Sequence, residues 1–329
     1  MDAQNNEYQM HLRAVINESI ATNRDILNTA YRHIEKPVMI IGFCLSVLCF
    51  FTGLTAGSSW NYSSPESWSR KYPACGGRRQ SPINIDTSEA ESTWLLERFT
   101  KSLFSEEPEN MTLKNNGHSI QVDLTGGFVI DNMRLLFDRY KAVQFHVHWA
   151  KSNGKGSEHT INDKRYWGEL HIVLYNTDYE DFESAVSKSD GLAVLAFFIY
   201  GDFSFKNSGF DKITEEISDG NAKYEGESVE ISPFAIDDLL QYTFLKSYYR
   251  YLGSLTTPPC YESVTWTVFE DPIYISRSQA RVFEEIVYEN ERGHHHEHLY
   301  NNYRPVQPLN GRTVYTIDSS RLYNFDYDD

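Results

Sequence analysis

Two stretches decide the fold of this chain: Val143-Gln144-Phe145-His146-Val147-His148-Trp149 and Gly168-Glu169-Leu170-His171-Ile172-Val173-Leu174. In both, apolar and polar side chains alternate, which is the pattern of a strand with one buried face. The turn-rich residues 152–157 lie between them and reverse the chain. The run 192–200 is apolar throughout and predicts a strand buried on both faces. With one helix predicted over 276–288, the sequence indicates a mainly β fold with short helices, of the α+β class.

Three histidines lie in these two predicted strands, at positions set by the alternation of the side chains. His146 and His148 are two residues apart, so both side chains leave the same face of one strand, about 6.6 Å apart at Cα. His171 lies on the next strand and shares its face with Glu169. Three imidazoles can bind Zn²⁺ and leave its fourth position open, which is typical of a catalytic zinc site. The alternative is that these histidines are half-buried sheet residues hydrogen-bonded to the backbone.

The composition limits the class of protein. The 329 residues are 40 % hydrophobic and carry 30 Lys and Arg against 46 Asp and Glu, a formal net charge of −16. This composition excludes a disordered chain and a disulfide scaffold. An acidic chain is repelled by phosphate backbones, so we expect no nucleic-acid partner.

An apolar run of 20 residues, 37–56, carries no charged side chain and is long enough to span a bilayer. Arg32 and Lys36 precede it directly, so the positive-inside rule predicts a single-pass type II protein with residues 1–36 in the cytoplasm. A cleaved signal peptide, which would leave a secreted protein, and a buried core helix are the alternatives. We expect a domain at 57–315, an acidic tail at 316–329, and possible glycosylation at Asn61 and Asn110.

The resemblance of the chain to α-class carbonic anhydrases extends over about residues 58–315 and rests on eight ordered motifs. The motifs are Trp60-Asn61-Tyr62, Gln80-Ser81-Pro82-Ile83-Asn84-Ile85, Asn115-Asn116-Gly117-His118, Gln144-Phe145-His146-Val147-His148-Trp149, Ser157-Glu158-His159-Thr160, Glu169-Leu170-His171, Ser254-Leu255-Thr256-Thr257-Pro258-Pro259 and Tyr303-Arg304-Pro305-Val306-Gln307-Pro308-Leu309. It implies a twisted, mostly antiparallel central sheet with a conical zinc cleft. It also implies reversible hydration of CO₂ to bicarbonate and a proton by a zinc-bound hydroxide.

The resemblance also implies a role for individual residues. His146, His148 and His171 match the zinc ligands; Gln144, Glu169 and the backbone of Asn302 match the groups that hold them. Thr256 and Glu158 match the pair that orients the hydroxide, and His118 matches the proton shuttle. Two further groups of residues match the apolar wall that receives CO₂ in the family and the polar side of the cleft that orders water. The wall comprises Val173, Val194, Leu255, Thr257, Val264 and Trp266; the polar side comprises Tyr62, Asn116 and Gln121.

The remaining expectations concern residues around this site. Cys75 and Cys260 lie where secreted and membrane-bound members of the family carry their disulfide. We interpret His159 as a structural residue that supports the surroundings of Glu158, and 294–298 as an exposed histidine-rich loop. The competing hypothesis is a catalytically weak, carbonic anhydrase-related module that serves binding or adhesion. The sequence leaves the oligomeric state open.

Overall fold

The sheet around the histidines contains 11 of the strands in the part of the chain that the structure describes. That structure is a computed structural model, and it describes residues 60–131, 138–151, 154–289 and 296–317. The strands are β1 Asn84–Ile85, β2 Glu91–Thr93, β3 Asn110–Asn115, β4 Ile120–Thr125, β5 Val129–Asp131, β6 Arg139–Trp149, β7 Thr160–Ile161, β8 Gly168–Asn176, β9 Leu192–Phe203, β10 Ser228–Ile231, β11 Tyr248–Gly253, β12 Val264–Ser276, β13 Val287–Glu289, β14 His296–His298 and β15 Tyr315–Ile317.

The large sheet runs in the order β10-β3-β4-β6-β8-β9-β12-β11-β15-β2, with β5 paired to β6. Parallel pairing within it occurs only between β9 and β12 and between β15 and β2. All its other strand pairs are antiparallel. The expectation of a mainly β, mostly antiparallel fold is therefore confirmed.

Short helices flank the sheet. They are α1 Phe182–Ala185, α2 Ser208–Ser218 and α3 Arg277–Phe283, together with 3₁₀ helices at Pro65–Arg70, Pro73–Gly76, Lys101–Phe104 and Ile236–Leu240. The helices α2 and α3 pack in the larger core cluster, and α1 packs in the smaller one. In α2, Phe210, Ile213 and Ile217 recur at helical spacing and are buried in the larger core cluster. Ser276 begins α3 with a capping box to Gln279, so the predicted helix over 276–288 is present but ends sooner.

The central strands are buried on both sides because the sheet separates two apolar clusters. Leu170, Ile172 and Leu174 of β8 belong to the larger cluster, on the side where α2 and α3 pack. Val173 belongs to the smaller cluster on the histidine side. Residues 192–199 of β9 are all buried, as the apolar run 192–200 predicts, but Tyr200 at the end of the run is exposed.

None of the helices within the described ranges is long and apolar enough to cross a membrane. The predicted anchor at 37–56, the cytoplasmic tail at 1–36, most of the predicted acidic tail at 316–329 and residues 294–295 of the histidine-rich loop lie outside those ranges.

Candidate metal centre

Strand register brings the three predicted histidines together. His146 lies directly opposite His171 in the antiparallel pair of β6 and β8, and His148 lies opposite Glu169. The ring centroids are 5.0 Å apart for His146 and His148, 5.2 Å for His146 and His171, and 4.8 Å for His148 and His171. Three imidazoles from two neighbouring strands therefore converge on one point.

Each of these rings uses one nitrogen to bond a protein acceptor. His146 Nδ1 lies 2.9 Å from Gln144 Oε1, and His148 Nδ1 lies 2.6 Å from the Asn302 carbonyl oxygen. His171 Nε2 lies 2.7 Å from Glu169 Oε1. Because each bonded nitrogen donates its proton, the other nitrogen of each neutral ring is an unprotonated lone pair, the form that ligates a metal.

The lone pairs meet the requirements of a metal site. One nitrogen of each ring lies within 4.8 Å of those of the other two, and His148 Nε2 is buried without a hydrogen-bond partner among the described residues. A nitrogen donor set of three histidines suits zinc. Burial lowers the pKa of His146 well below its usual value, with His148 and His171 adding to the effect; burial also lowers the pKa of His148. Both rings are therefore neutral and ready to bind a cation.

Glu169 is held as a carboxylate by two histidines. Burial opposes its ionisation, but the charge and hydrogen bond of His159 and the hydrogen bond of His171 outweigh that cost and hold the pKa of Glu169 well below its usual range. His159 was expected to support the surroundings of Glu158; instead Nδ1 of its ring lies 2.7 Å from Glu169 Oε1. The other nitrogen of the ring, Nε2, lies 2.7 Å from the Tyr251 hydroxyl, which holds the ring in this orientation. The Tyr251 hydroxyl itself donates to Ser81.

Glu158 lies at the open side of the three histidines and is fully buried. Its Oε1 accepts the backbone N–H of Arg304 at 2.7 Å. Its Oε2 has no hydrogen-bond partner among the described residues and lies 3.4 Å from His148 Nε2 and 3.9 Å from His171 Nδ1. The hydrogen bond from Thr256 that the resemblance implies is not among those of the described residues, because Oε2 is turned toward the ligand nitrogens.

An apolar wall adjoins the histidines. Val173, Val194, Val264 and Trp266 are buried in the smaller cluster, and half-buried Leu255 packs against it. Thr257 is half-buried in the loop that follows Leu255.

Val143 also packs on this wall, although strict alternation from His146 would turn it to the opposite face. The register shifts between Ala142 and Gln144, so Val143 is a β-bulge residue without a partner in β8. No feature of the alternation signals this bulge.

His118 lies in the turn between β3 and β4. The side-chain oxygen of Asn116 accepts the His118 backbone N–H at 3.0 Å. The His118 ring stacks on Trp60 with centroids 3.8 Å apart and planes 13° apart. Burial lowers the pKa of His118 from its usual 6.5 to about 4. His118 is therefore neutral at physiological pH.

The predicted polar side lies near this turn. Asn116 donates to Gln121 at 3.1 Å, and Gln121 lies opposite His146 in the pairing of β4 and β6. The Tyr62 hydroxyl is buried and has no hydrogen-bond partner among the described residues. Burial, and then the charge of Glu158, raise the pKa of Tyr62 well above its usual value. All three predicted residues thus lie on the side of the sheet where His118 stands.

The Asn302 side chain connects the turn that carries His118 to the metal centre. The sequence predicts a role only for the backbone of this residue. Its side-chain nitrogen donates to the carbonyl oxygens of His118 at 2.9 Å and Val147 at 3.2 Å, and its side-chain oxygen accepts the Trp149 N–H at 2.8 Å. The side-chain bonds of Asn302 to β6 could not be predicted from spacing, because Asn302 and Trp149 are 153 residues apart in the chain.

The disulfide between Cys75 and Cys260 is present. Both cysteines are buried, and with Trp68 they form a small apolar cluster beside Trp60 and Tyr62. Of the two predicted glycosylation sites, Asn110 is exposed at the start of β3 and Asn61 is half-buried.

Comparison with known proteins agrees with this arrangement. The family model for eukaryotic-type carbonic anhydrases matches residues 63–318. Human carbonic anhydrase 12 is 40 % identical over 269 residues, which cover 79 % of this chain and 73 % of the relative. Human carbonic anhydrase 6 is 35 % identical over 266 residues, covering 78 % and 82 % of the two chains. Mouse carbonic anhydrase 6 is 34 % identical over 275 residues, covering 82 % and 84 %. Together with the three converging histidines, these matches show that the chain belongs to the eukaryotic-type carbonic anhydrase family.

Proposed function

We propose that this carbonic anhydrase binds zinc through His146, His148 and His171 and catalyses the reversible hydration of CO₂ to bicarbonate and a proton. The observation that carries the proposal is the set of three imidazoles, each fixed by one hydrogen bond, whose remaining nitrogens lie within 4.8 Å of one another. Zinc held in such a site acts as a Lewis acid and lowers the pKa of a bound water to about 7, a value established for carbonic anhydrases and not obtained from this structure.

Glu158 and Thr256 orient the reacting water in this proposal. A threonine hydroxyl has one O–H to donate and two lone pairs, so Thr256 can donate a hydrogen bond to Glu158 while it accepts a hydrogen bond from the water. Glu158 Oε2 is the acceptor available for this bond, because Oε1 already accepts from Arg304. Thr256 is 5 % exposed, which keeps its hydroxyl away from bulk solvent.

The apolar wall receives CO₂. CO₂ is a neutral, apolar molecule, so its transfer from water to an apolar surface lowers the free energy. The side chains that offer this surface are Val173, Val194, Val264 and Trp266. His118 then accepts the released proton on a ring nitrogen and passes it to solvent, with Tyr62, Asn116 and Gln121 along the path. A neutral His118 is the accepting form.

The test of this proposal combines zinc content with the rate of CO₂ hydration by stopped flow at pH 7–8. Loss of the groups that merely orient a metal ligand costs about 10- to 100-fold in affinity, so His171→Ala should weaken zinc binding by more than about 100-fold and abolish the zinc-dependent rate. His298→Ala, which removes an exposed histidine, is the matched control and should retain both zinc and rate. A wild-type protein that binds zinc without any rate above background would instead be the binding or adhesion module.

We also propose that the catalytic domain faces the extracytoplasmic side, held by residues 37–56. The Cys75–Cys260 disulfide supports this placement, because disulfides persist in oxidising compartments. Protease added to intact cells that express the full chain should digest an epitope placed after residue 57 and spare one placed before residue 36. Protection of both epitopes would contradict the placement, and full-length enzymatic domain free in the medium would indicate a cleaved signal peptide.

A further inference from the structure

A cavity of about 320 Å³ lies away from the metal centre and has no role in the proposed reaction. It is lined by residues of the loop before Ser157, the segment that leads into β8, the end of β9 and the start of α3. None of the three histidines, Glu158 or Thr256 lines it. Its charged side chains are Lys155, Lys164, Arg165, Asp202, Arg277 and Arg281. We call it the basic cavity.

The basic cavity concentrates positive charge in an acidic protein. It takes five of the chain's 30 lysine and arginine residues, although the formal net charge of the chain is −16. Asp202, the one acidic residue among the described residues of the lining, forms an ion pair with Arg277, two of whose nitrogens lie 2.6 and 2.7 Å from one carboxylate oxygen. The other four cations form no ion pair with the described residues. Their charge is therefore available to an anionic ligand.

Two of these cations are held in place by neighbouring groups. The Arg165 guanidinium donates to the Ser157 carbonyl and lies 5.0 Å from the centre of the Tyr303 ring. The Lys164 ammonium lies 4.5 Å from the centre of the Tyr166 ring. These contacts involve carbonyl oxygen and aromatic faces, so they position the side chains without neutralising them. Less conformational entropy is then lost when an anion binds.

The other walls are aromatic. Trp167 is 8 % exposed and Tyr200 is 44 % exposed. A Cβ atom at Gly201 would lie 2.8 Å from ring atoms of Trp167, so only glycine lets β9 pass against this ring. A rigid aromatic wall beside a ring of cations suits a small ligand with a flat or cyclic body and anionic substituents.

We propose that the basic cavity binds a compact cyclic ligand that carries two or more phosphate or sulfate groups. Arginine forks and lysine ammonium groups are the usual partners of such oxyanions. Four cations without ion pairs can accommodate more than one anionic group at a time. A phosphorylated sugar and a sulfated disaccharide share this chemistry, and the experiment distinguishes them.

Isothermal titration of the zinc-loaded full chain tests the proposal with two probes, fructose 1,6-bisphosphate and a trisulfated heparin disaccharide. We expect saturable binding of at least one probe, weakened by added KCl, with unphosphorylated fructose as the neutral comparison. The double variant Lys164→Gln/Arg281→Gln should weaken it by at least about 10-fold, since charge-assisted hydrogen bonds to both side chains are lost.

The matched control is Arg78→Gln/Lys188→Gln, which removes two exposed cations that do not line the basic cavity. It should bind the probes as the wild type does, and both double variants should keep the wild-type circular dichroism spectrum. The probe that saturates identifies the ligand source, phosphate ester or sulfated sugar. Absence of saturable binding in both arms, or equal affinity in the Lys164→Gln/Arg281→Gln variant, would overturn the proposal.

Discussion

His118 illustrates how one contact sets the chemistry of one residue. An unperturbed imidazole has a pKa near 6.5, close to the value of about 7 that the zinc-bound water of carbonic anhydrases shows. Burial lowers the pKa of His118 to about 4, and its ring stacks on Trp60. A proton passed from a donor of pKa about 7 to this ring therefore moves uphill, by roughly 1.4 kcal/mol for each unit of pKa difference.

We predict that Trp60→Ala raises the pKa of His118 toward 6.5, because removal of the stacked indole returns the ring to water. At pH 6 the stacked imidazole is almost entirely neutral, whereas the freed ring is largely protonated. Titration of the His118 ring signals by NMR measures the shift. In weakly buffered solution, turnover that depends on His118 should rise with the pKa.

The control for this prediction is Trp94→Ala, which removes a tryptophan that is 60 % exposed and does not stack on His118. It should leave the titration of His118 unchanged. An unchanged pKa in Trp60→Ala would show that burial by other groups, and not the indole, depresses it.

At the scale of elements, strand β6 carries two of the three proposed zinc ligands and also an irregularity. The regular part from Gln144 to Trp149 keeps His146 and His148 on one face. The bulge at Val143 reverses the alternation before it, so Val143 joins the apolar wall on that same face. One bulge thus adds a wall residue beside the metal centre without disturbing the ligand spacing.

The loop after β14 fixes strand β6 through Asn302, which is fully buried. We predict that Asn302→Ala lowers the free energy of unfolding by at least about 2 kcal/mol. The buried Trp149 N–H would lose its acceptor, and the carbonyl oxygens of His118 and Val147 would each lose one donor, although Val147 keeps its bond from Ser119. An unsatisfied buried group costs about 1–3 kcal/mol. Urea denaturation measures the loss.

Asn310→Ala offers a comparison for this variant, since Asn310 is exposed and its side chain donates only to the Arg78 carbonyl. A change within about 0.5 kcal/mol is expected there. If Asn302→Ala were as mild as Asn310→Ala, the buried hydrogen bonds of Asn302 would not be what fixes β6.

At the scale of the whole molecule, the disulfide joins the start of the domain to a loop far along the chain. Cys75 and Cys260 are 185 residues apart in the chain. Around the bond, Arg304 donates to the Cys75 carbonyl at 2.9 Å and Gln80 donates to the Cys260 carbonyl at 3.2 Å. The disulfide thereby ties the start of the domain to the loop that carries Thr256.

We predict that Cys75→Ser/Cys260→Ser lowers the free energy of unfolding by about 2–5 kcal/mol, because the unfolded chain regains the freedom that a long closed loop removes. Calorimetry with and without reductant measures the effect. Reductant should lower the melting temperature of the wild type and leave that of the double variant unchanged. Equal melting temperatures of wild type and variant would contradict the prediction.

The chemistry of the metal centre could be predicted from the sequence because it rests on local spacing. Residues two apart in a strand share a face, which determines that His146 and His148 point together. The apolar run likewise predicts the strand that is buried on both sides over residues 192–199. The ordered motifs then identify the family.

Other features of the protein depend on contacts between segments that are far apart in the chain, and only the tertiary structure shows them. The bond of His159 to Glu169, the bonds of Asn302 to β6, the depressed pKa of His118 and the basic cavity each depend on residues that alternation and motif spacing do not relate. The physical reason is that burial and hydrogen bonding depend on which side chains meet in space. The sequence therefore determined which side chains can form the metal centre, and the fold decided their hydrogen-bond partners, their pKa values and the presence of the basic cavity.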